Sequence, residues 1–199
     1  MALASVRPAT LDDVEEIIRI QASTWRTAYA ELIPRAAVDR LSGPAARQAW
    51  RAAVTAGAGH HVFVATEGNW TVGFCAAARA AEDFDQPDGV PLGQLATLLV
   101  EPRWGRRGHG KRLFDAAAEA LRADGAPGGL VWVPEQDVAS RAFYARQGWE
   151  ADGMVRVLDA GDRELREIRL VGPLALAKVE PGRNIHSPSN GSSPIVNPG

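Results

Sequence analysis

A basic, glycine-rich turn in the middle of the chain constrains the fold more than any other segment. The apolar strand pattern QLATLLV ends at Val100, and a helical pattern with one apolar side runs from Gly108 to Asp124. Residues 106–110, RRGHG, join the two. Glycine lets a backbone turn sharply and approach a ligand closely, and the first free N–H groups of a helix favour an anion. The pattern therefore predicts a strand, a turn and a helix that together bind phosphate.

Two nucleotide-binding motifs fit this turn only in part. The G-x-x-x-x-G-K spacing of a P-loop begins at Gly105, but Arg112 stands where a Ser or Thr hydroxyl would bind magnesium. A G-x-G-x-x-G pattern begins at Gly108, but Leu113 stands where the third glycine would allow close packing of helix and strand. A solvated surface turn is the remaining alternative when this segment is considered alone.

Positive charge around the turn indicates a ligand with more than one phosphate group. Guanidinium and ammonium groups bind phosphate through charge-assisted hydrogen bonds. Coenzyme A carries a pyrophosphate and a ribose phosphate, so it suits a turn of this kind. The cations are Arg106, Arg107, Lys111 and Arg112.

Helical and strand patterns alternate along the rest of the chain. Strand patterns cover residues 3–8, 61–66, 70–78, 94–100, 129–133, 149–158 and 164–171. Helical patterns start at the capping residue Thr10, continue as a second stretch from Trp25 to Pro34, and recur at 44–56, 108–124 and 138–147. The order is strand, helices, three strands, helix, strand, helix, two strands. It predicts a mixed α/β sheet.

We assign residues 1–175 to a single domain, because domains usually contain roughly 100 to 200 residues. Residues 176–199 are rich in Pro, Gly, Ser and Asn. Such a segment buries too little apolar surface to offset the entropy of ordering it. We therefore predict a flexible C-terminal tail.

The composition argues against several classes of protein. With 22 basic and 24 acidic residues, the chain lacks the basic field with which proteins hold nucleic acid. No apolar run reaches the roughly 18 residues of a membrane span, and the N-terminus lacks a secretory pattern, so we predict a cytoplasmic protein. Cys75 is the only cysteine; it lies in an apolar run and is expected to fill the core, and no metal site is expected.

Two motifs together resemble the GNAT superfamily of N-acetyltransferases, over about Val6 to Leu170. The first is the segment LLVEP followed by RRGHGK. The second motif comes later in the chain and consists of Asp137, Ser140, Phe143, Tyr144, Gly148 and Trp149. The stretch STWRTAYAELIP also resembles a GNAT subgroup. The chain departs from the family at Gly105, where Gln or Arg is common, and at Asp137, where Asn is usual.

The resemblance implies a GNAT-like mixed, mostly antiparallel sheet of about seven strands flanked by helices, with a splayed strand pair that binds the cofactor. It implies acetyl-coenzyme A as the acyl donor, without a metal, and direct transfer to a primary amine of a small molecule or protein. The protein would be a monomer or homodimer. The residues expected to bind the donor are Leu98, Leu99, Val100, Arg106, Arg107, Gly108, His109, Gly110, Lys111, Asp137 and Ser140.

Tyr144 matches the family's usual proton donor to the leaving thiolate. The base is less evident, because Gln94 stands where many relatives carry Glu. Glu135 is a candidate base, and the acidic loop containing Asp83 is another. Trp25 and Tyr29 lie one helical turn apart and are expected to bind the acceptor, with Asp83 attracting its charge. The alternative function is a non-catalytic sensor that binds acyl-coenzyme A on the same fold.

Overall fold

The computed structural model describes residues 3–81, 91–159 and 163–174 of the chain. In these ranges the strands are β1 (Ala4–Pro8), β2 (His60–Glu67), β3 (Trp70–Arg79), β4 (Gly93–Val100), β5 (Gly129–Pro134), β6 (Glu150–Asp159) and β7 (Glu164–Gly172). The α-helices are α1 (Val14–Ala28), α2 (Arg35–Arg40), α3 (Pro44–Thr55), α4 (His109–Ala123) and α5 (Val138–Ala145). Single 3-10 turns lie at Leu11–Asp13 and Pro102–Trp104.

The strands form one sheet in the order β1-β2-β3-β4-β5-β7-β6. Neighbouring strands are antiparallel except β4 and β5, which are parallel and are connected through α4. The predicted mixed α/β fold, with about seven mostly antiparallel strands and flanking helices, is confirmed. None of the helices in the described ranges combines the length and the apolar character that a membrane span requires.

The N-terminal helices differ from the prediction. Thr10 does begin the first helical segment, where its N–H donates to the Asp13 carboxylate at 2.8 Å. However, α1 continues without interruption to Ala28, so Trp25 belongs to the first helix rather than to a second one. The reason is that no glycine or proline separates the two apolar patterns. A short helix, α2, follows Pro34 and was not predicted.

Two sequence predictions concern residues outside the described ranges. The flexible tail was assigned to residues 176–199, and the acidic loop includes Asp83. The boundary of the domain at residue 175 therefore stays a prediction.

Helix α4 and the sheet enclose the main core. Leu113, Phe114, Ala117 and Leu121 are buried under the sheet, on the side of α4 that its pattern predicts. Cys75 lies in the same core, where burial raises the pKa of its thiol to about 12. The cysteine is therefore a protonated filler.

Trp149 closes the far end of this core by packing directly against two glycines. The indole is 1% exposed, and its Nε1 donates to the carbonyl of Pro173 at 2.9 Å. A Cβ atom at Gly129 would lie 2.7 Å from its Cη2 atom, and one at Gly172 would overlap its Cδ1 atom. The close contact of ring and backbone holds α5 and β6 against β5 and β7.

We predict that Gly172→Ala lowers the free energy of unfolding by about 2 kcal/mol, since the added methyl group overpacks the core against Trp149. Urea unfolding followed by circular dichroism measures the change. Gly128→Ala is the matched control, because a Cβ atom there has its nearest neighbours at 3.4 Å, an ordinary contact. Equal destabilisation by the two substitutions would contradict the prediction.

Candidate functional site

The candidate site lies where β4 separates from β5. The two strands pair only through Gly93, Gln94 and Leu95. At the same point the ladder between β3 and β4 shifts register and leaves Ala96 as an extra residue, a bulge that bends the strand. From there to Val100, β4 pairs with β3 alone, and its other edge is open.

The open edge presents backbone groups of two of the predicted residues. The N–H of Glu101 donates to Val72 in β3 at 2.9 Å. Since neighbouring residues of a strand direct their backbone groups to opposite edges, Val100 and Leu98 direct theirs away from β3, toward the gap. Leu99, also predicted to bind the donor, directs its backbone groups toward β3.

A groove of about 570 Å³ lies between the start of α4 and the helix α5, on one side of this gap. We call it the helix groove. The turn before α4 needs a glycine at position 108, where φ is +84°. The N–H groups at the start of α4 have no partner within the helix and are available to an anion. The residues that line the helix groove include Leu98, Val100, Trp104, Arg106, Gly108, His109, Gly110, Lys111, Ser140, Phe143, Tyr144 and Arg146.

The cations of the turn divide into two groups. Arg106 and Lys111 line the helix groove, and so does Arg146, the residue directly after α5. The ammonium of Lys111 is paired with Asp115, 2.7 Å from its Oδ2 atom. Arg107 instead donates to Glu67 at 3.0 Å and stacks over Trp104. The side chain of Arg107 is therefore engaged outside the lining of the groove, and its contact with the ligand stays a prediction.

His109 is also directed toward Glu67. Its side chain is 1% exposed, and its Nε2 atom lies 2.9 Å from the Glu67 carboxylate. The hydrogen bond from His109 and the charge of Arg107 hold the pKa of Glu67 below its ordinary range. The imidazole thus anchors the turn to β2, and His109 adjoins the groove without presenting its buried ring to a ligand.

Asp137 caps α5 and does not line the helix groove. Its Oδ1 atom accepts from the N–H of Ser140 at 2.9 Å, and its Oδ2 atom accepts from the Ser140 hydroxyl at 2.6 Å. The hydroxyl of Tyr29 donates to the same Oδ2 atom at 2.6 Å. Both carboxylate oxygens thus accept hydrogen bonds from within the protein, and the contact of Asp137 with the donor stays a prediction, whereas Ser140 does line the groove.

Tyr144 stands at the meeting point of two cavities. It is 4% exposed, and its ring packs against Phe114, Phe143 and Trp149. Burial, with the charges of neighbouring groups, raises the pKa of its hydroxyl above the ordinary value. The phenol is therefore protonated at neutral pH and is able to donate a proton or a hydrogen bond.

The second cavity, of about 80 Å³, fills the gap between the separated strands; we call it the splay cavity. Leu98, Ser140 and Tyr144 line both cavities, so a ligand that reaches Tyr144 from the groove meets the splay cavity. The other lining residues include Trp25, Tyr29, Ala96, Thr97, Leu99, Trp132, Pro134 and Glu167. Trp25 and Tyr29 thus have the position expected of an acceptor wall.

Glu135 lies apart from both cavities. Its carboxylate pairs with Arg166 at 2.9 Å, and its side chain is 44% exposed. The backbone of Glu135 extends the sheet beyond β5, because its N–H donates to the carbonyl of Arg166. The structure does not bring this candidate base to the site, and Asp83 lies outside the described residues.

Sequence reasoning missed two charged residues of the site. Arg146 caps the C-terminal end of α5, three residues after Phe143, a spacing that places both on one side of the helix. Glu167 occupies an inward position of the alternating strand β7, on the same face as the buried Leu165. A charged residue at an inward strand position was the available signal. Across the described ranges, no cluster of three or more His, Cys, Asp or Glu side chains suits a metal ion.

Comparisons with known proteins identify this arrangement. A family model described as the acetyltransferase (GNAT) domain matches residues 58–151, from the start of β2 into β6. The uncharacterised N-acetyltransferase YuaI of Bacillus subtilis (strain 168) is 32% identical over 143 residues, which cover 71% of this chain and 78% of YuaI.

Solved structures share the fold at low sequence identity. The PaiA N-acetyltransferase from Thermoplasma acidophilum, solved in complex with coenzyme A, superposes with a TM-score of 0.70 at 14% identity, over 86% of this chain and 99% of that one. The structure of yncA from Salmonella typhimurium, solved with its cofactor acetyl-CoA, gives 0.57 at 19% identity, over 90% and 98% of the two chains.

We predict that native protein forms no tyrosinate as the pH rises through 10. The chain has two tyrosines, and burial raises the pKa of both Tyr29 and Tyr144 above the ordinary value of 10.0. Below pH 10 both are protonated in the folded and unfolded states. Above it the unfolded chain releases these protons first, so the free energy of unfolding falls as the pH rises.

The ultraviolet absorbance of tyrosinate, recorded together with circular dichroism, measures this effect. Tyrosinate is expected only in step with unfolding, and Tyr29→Phe and Tyr144→Phe should each remove half of the absorbance. Reversible tyrosine ionisation near pH 10 in protein that stays folded would show that the hydroxyls are not buried as described.

Proposed function

The chain belongs to the GNAT family of acetyl-coenzyme A-dependent N-acetyltransferases, and we propose that it transfers an acetyl group directly to a primary amine of a small molecule or protein. The observation that carries the proposal is the position of Tyr144, which lines both the helix groove and the splay cavity. A donor in the groove and an acceptor in the splay cavity would meet beside its hydroxyl.

The residues of the helix groove fit coenzyme A. The N–H groups at the start of α4 and the side chains of Arg106, Lys111 and Arg146 provide for its phosphates. Gly110 leaves room beside the groove, because a Cβ atom there would lie 3.4 Å from the ring of Phe143. The backbone groups of Leu98 and Val100 at the open edge of β4 can pair with the amides of the pantetheine arm.

The bound donor supplies a thioester, whose carbonyl carbon accepts the amine nitrogen and whose sulfur leaves as a thiolate. We assign three tasks to the protein. The N–H groups at the open edge of β4 stabilise negative charge on the carbonyl oxygen. Tyr144 donates a proton toward the sulfur, a role for which its protonated hydroxyl is suited. Tyr29, held by Asp137, walls the splay cavity on the acceptor side together with Trp25.

Arg106→Ala is expected to weaken coenzyme A binding by about tenfold, as for loss of a hydrogen bond between charged groups. Calorimetric titration with coenzyme A measures the affinity.

The substitution does not change the strain of the backbone. Arg106 has a φ of +62°, and alanine keeps the same Cβ atom. Arg107→Ala is the matched control, since Arg107 is paired with Glu67 outside the groove. An equal loss in both variants would contradict the division of the two arginines.

Tyr144→Phe is expected to lower kcat by about 100-fold, the usual contribution of a general acid, with a small change in coenzyme A affinity. Release of free thiol from acetyl-coenzyme A with a panel of primary amines measures the rate, and product masses verify acetylation. Phenylalanine keeps the packing against Phe114 and Trp149.

Three outcomes are informative. Wild-type protein that binds acetyl-coenzyme A but acetylates none of the amines would favour the sensor function instead. Wild-type protein that neither binds it nor releases thiol would refute the proposed function. Unchanged turnover in Tyr144→Phe would remove Tyr144 from the mechanism.

A further inference from the structure

One wall of the splay cavity is a carboxylate that has no role in the proposed acetyl transfer. Glu167 lies on β7, and its side chain is 9% exposed. It lines the cavity together with Tyr144, Tyr29 and Trp132. A buried carboxylate is retained in proteins only where cationic or hydrogen-bonding partners stabilise it.

Within the protein, Glu167 is only half satisfied. The guanidinium of Arg156, its neighbour across β6 and β7, contacts the Oε2 atom through both Nε and Nη2 at 2.6 Å. Arg156 also stacks over the indole of Trp132, which fixes its direction. Among the described residues no hydrogen bond reaches the Oε1 atom. One carboxylate oxygen is therefore left to a ligand.

The other walls of the cavity suit the end of an aliphatic chain. They are formed by the rings of Trp25, Tyr29 and Trp132 and by the apolar strand β4. A volume of 80 Å³ equals that of a few water molecules at roughly 30 Å³ each in the liquid. Aromatic faces attract a cation, and an anion would be repelled by Glu167.

We propose that Glu167 binds the ammonium group of the acceptor through Oε1 and takes its proton, so that the substrate class is aliphatic primary amines that are cationic at neutral pH. This inference rests on the proposed function and assigns the base that Glu135 does not supply. It also explains why Gln94, in the paired part of β4, does not have to serve as a base.

The proton balance is complete with these groups. The ammonium gives one proton to Glu167, and the neutral nitrogen then forms its bond to the thioester carbonyl carbon as the carbon–sulfur bond breaks. Tyr144 gives its proton to the thiolate. The nitrogen loses a second proton as the amide forms, and this proton restores the hydroxyl of Tyr144. The products are the acetylated amine and the free thiol, and Glu167 returns its proton to water.

Three probes with the same chain and different ends test the binding step: n-butylamine, n-butanol and butyrate. Calorimetric titration of wild-type protein is expected to show binding of n-butylamine in preference to the other two. In Glu167→Gln the affinity for n-butylamine should fall by about 10- to 100-fold, as for loss of a hydrogen bond to a charged group. The affinity for coenzyme A should stay unchanged.

Two control variants separate this role from a structural one. Asp152→Asn removes the carboxylate of the other ion pair across β6 and β7, with Arg169, which lines neither cavity; it should keep wild-type amine binding. Arg156→Gln breaks the ion pair and leaves Glu167, so the preference for n-butylamine should persist. If Glu167→Gln folds poorly, Glu167→Asp takes its place in the test. This variant retains the charge and should keep part of the wild-type affinity for n-butylamine.

Acetylation of n-butylamine by the same proteins tests proton transfer, through the pH dependence of kcat/KM. Glu167→Gln should lose the rate at neutral pH and regain part of it at alkaline pH, where the free amine is abundant. The inference is overturned if wild-type protein does not prefer n-butylamine, if Arg156→Gln abolishes the preference as fully as Glu167→Gln, or if Glu167→Gln keeps wild-type affinity. An absence of coenzyme A binding in wild-type protein would instead refute the proposed function.

Discussion

The loss of pairing between β4 and β5 after Leu95 is the constraint on which the site depends. A strand whose edge is open must satisfy its backbone groups with a partner, and a ligand that carries amides is one such partner. The same two strands are the only parallel pair among the described strands, which requires α4 as a crossover. Helices α4 and α5 therefore both begin at the edge where the strands diverge, and the helix groove and the splay cavity form there together.

Local patterns predicted the parts of the site that depend on neighbours in sequence. The turn at Gly108, the inner side of α4 and the position of Tyr144 on α5 follow from spacing along a helix or from the conformational freedom of glycine. The helix boundary near Trp25 was wrong because no residue there stops a helix. In these cases the information lies within a few residues, and tertiary contacts only refine it.

Pairs that are distant in sequence were beyond such reasoning. Tyr29 and Asp137 are 108 residues apart, and His109 and Glu67 are 42 apart. Each pair gives a motif residue a structural role that the motif does not reveal: Asp137 caps α5, and His109 anchors the turn. A family motif gives the residue types, but the partner that occupies each side chain depends on the register of the whole sheet.

Two carboxylates of the region, the half-buried Glu67 and the buried Glu167, distinguish one side of the site from the other. Glu67 is occupied by His109 and Arg107, and Lys111 pairs with Asp115, so Arg106 and Arg146 give the helix groove its positive charge. Glu167 is occupied by Arg156 on one oxygen only, so its Oε1 atom is left to accept from a cation in the splay cavity. Coulomb attraction then favours a phosphate on the one side and an ammonium on the other, and repulsion disfavours the reverse. In the proposed function, the partners of these two carboxylates, more than the cavities' shape, select which side of Tyr144 receives the donor and which receives the acceptor.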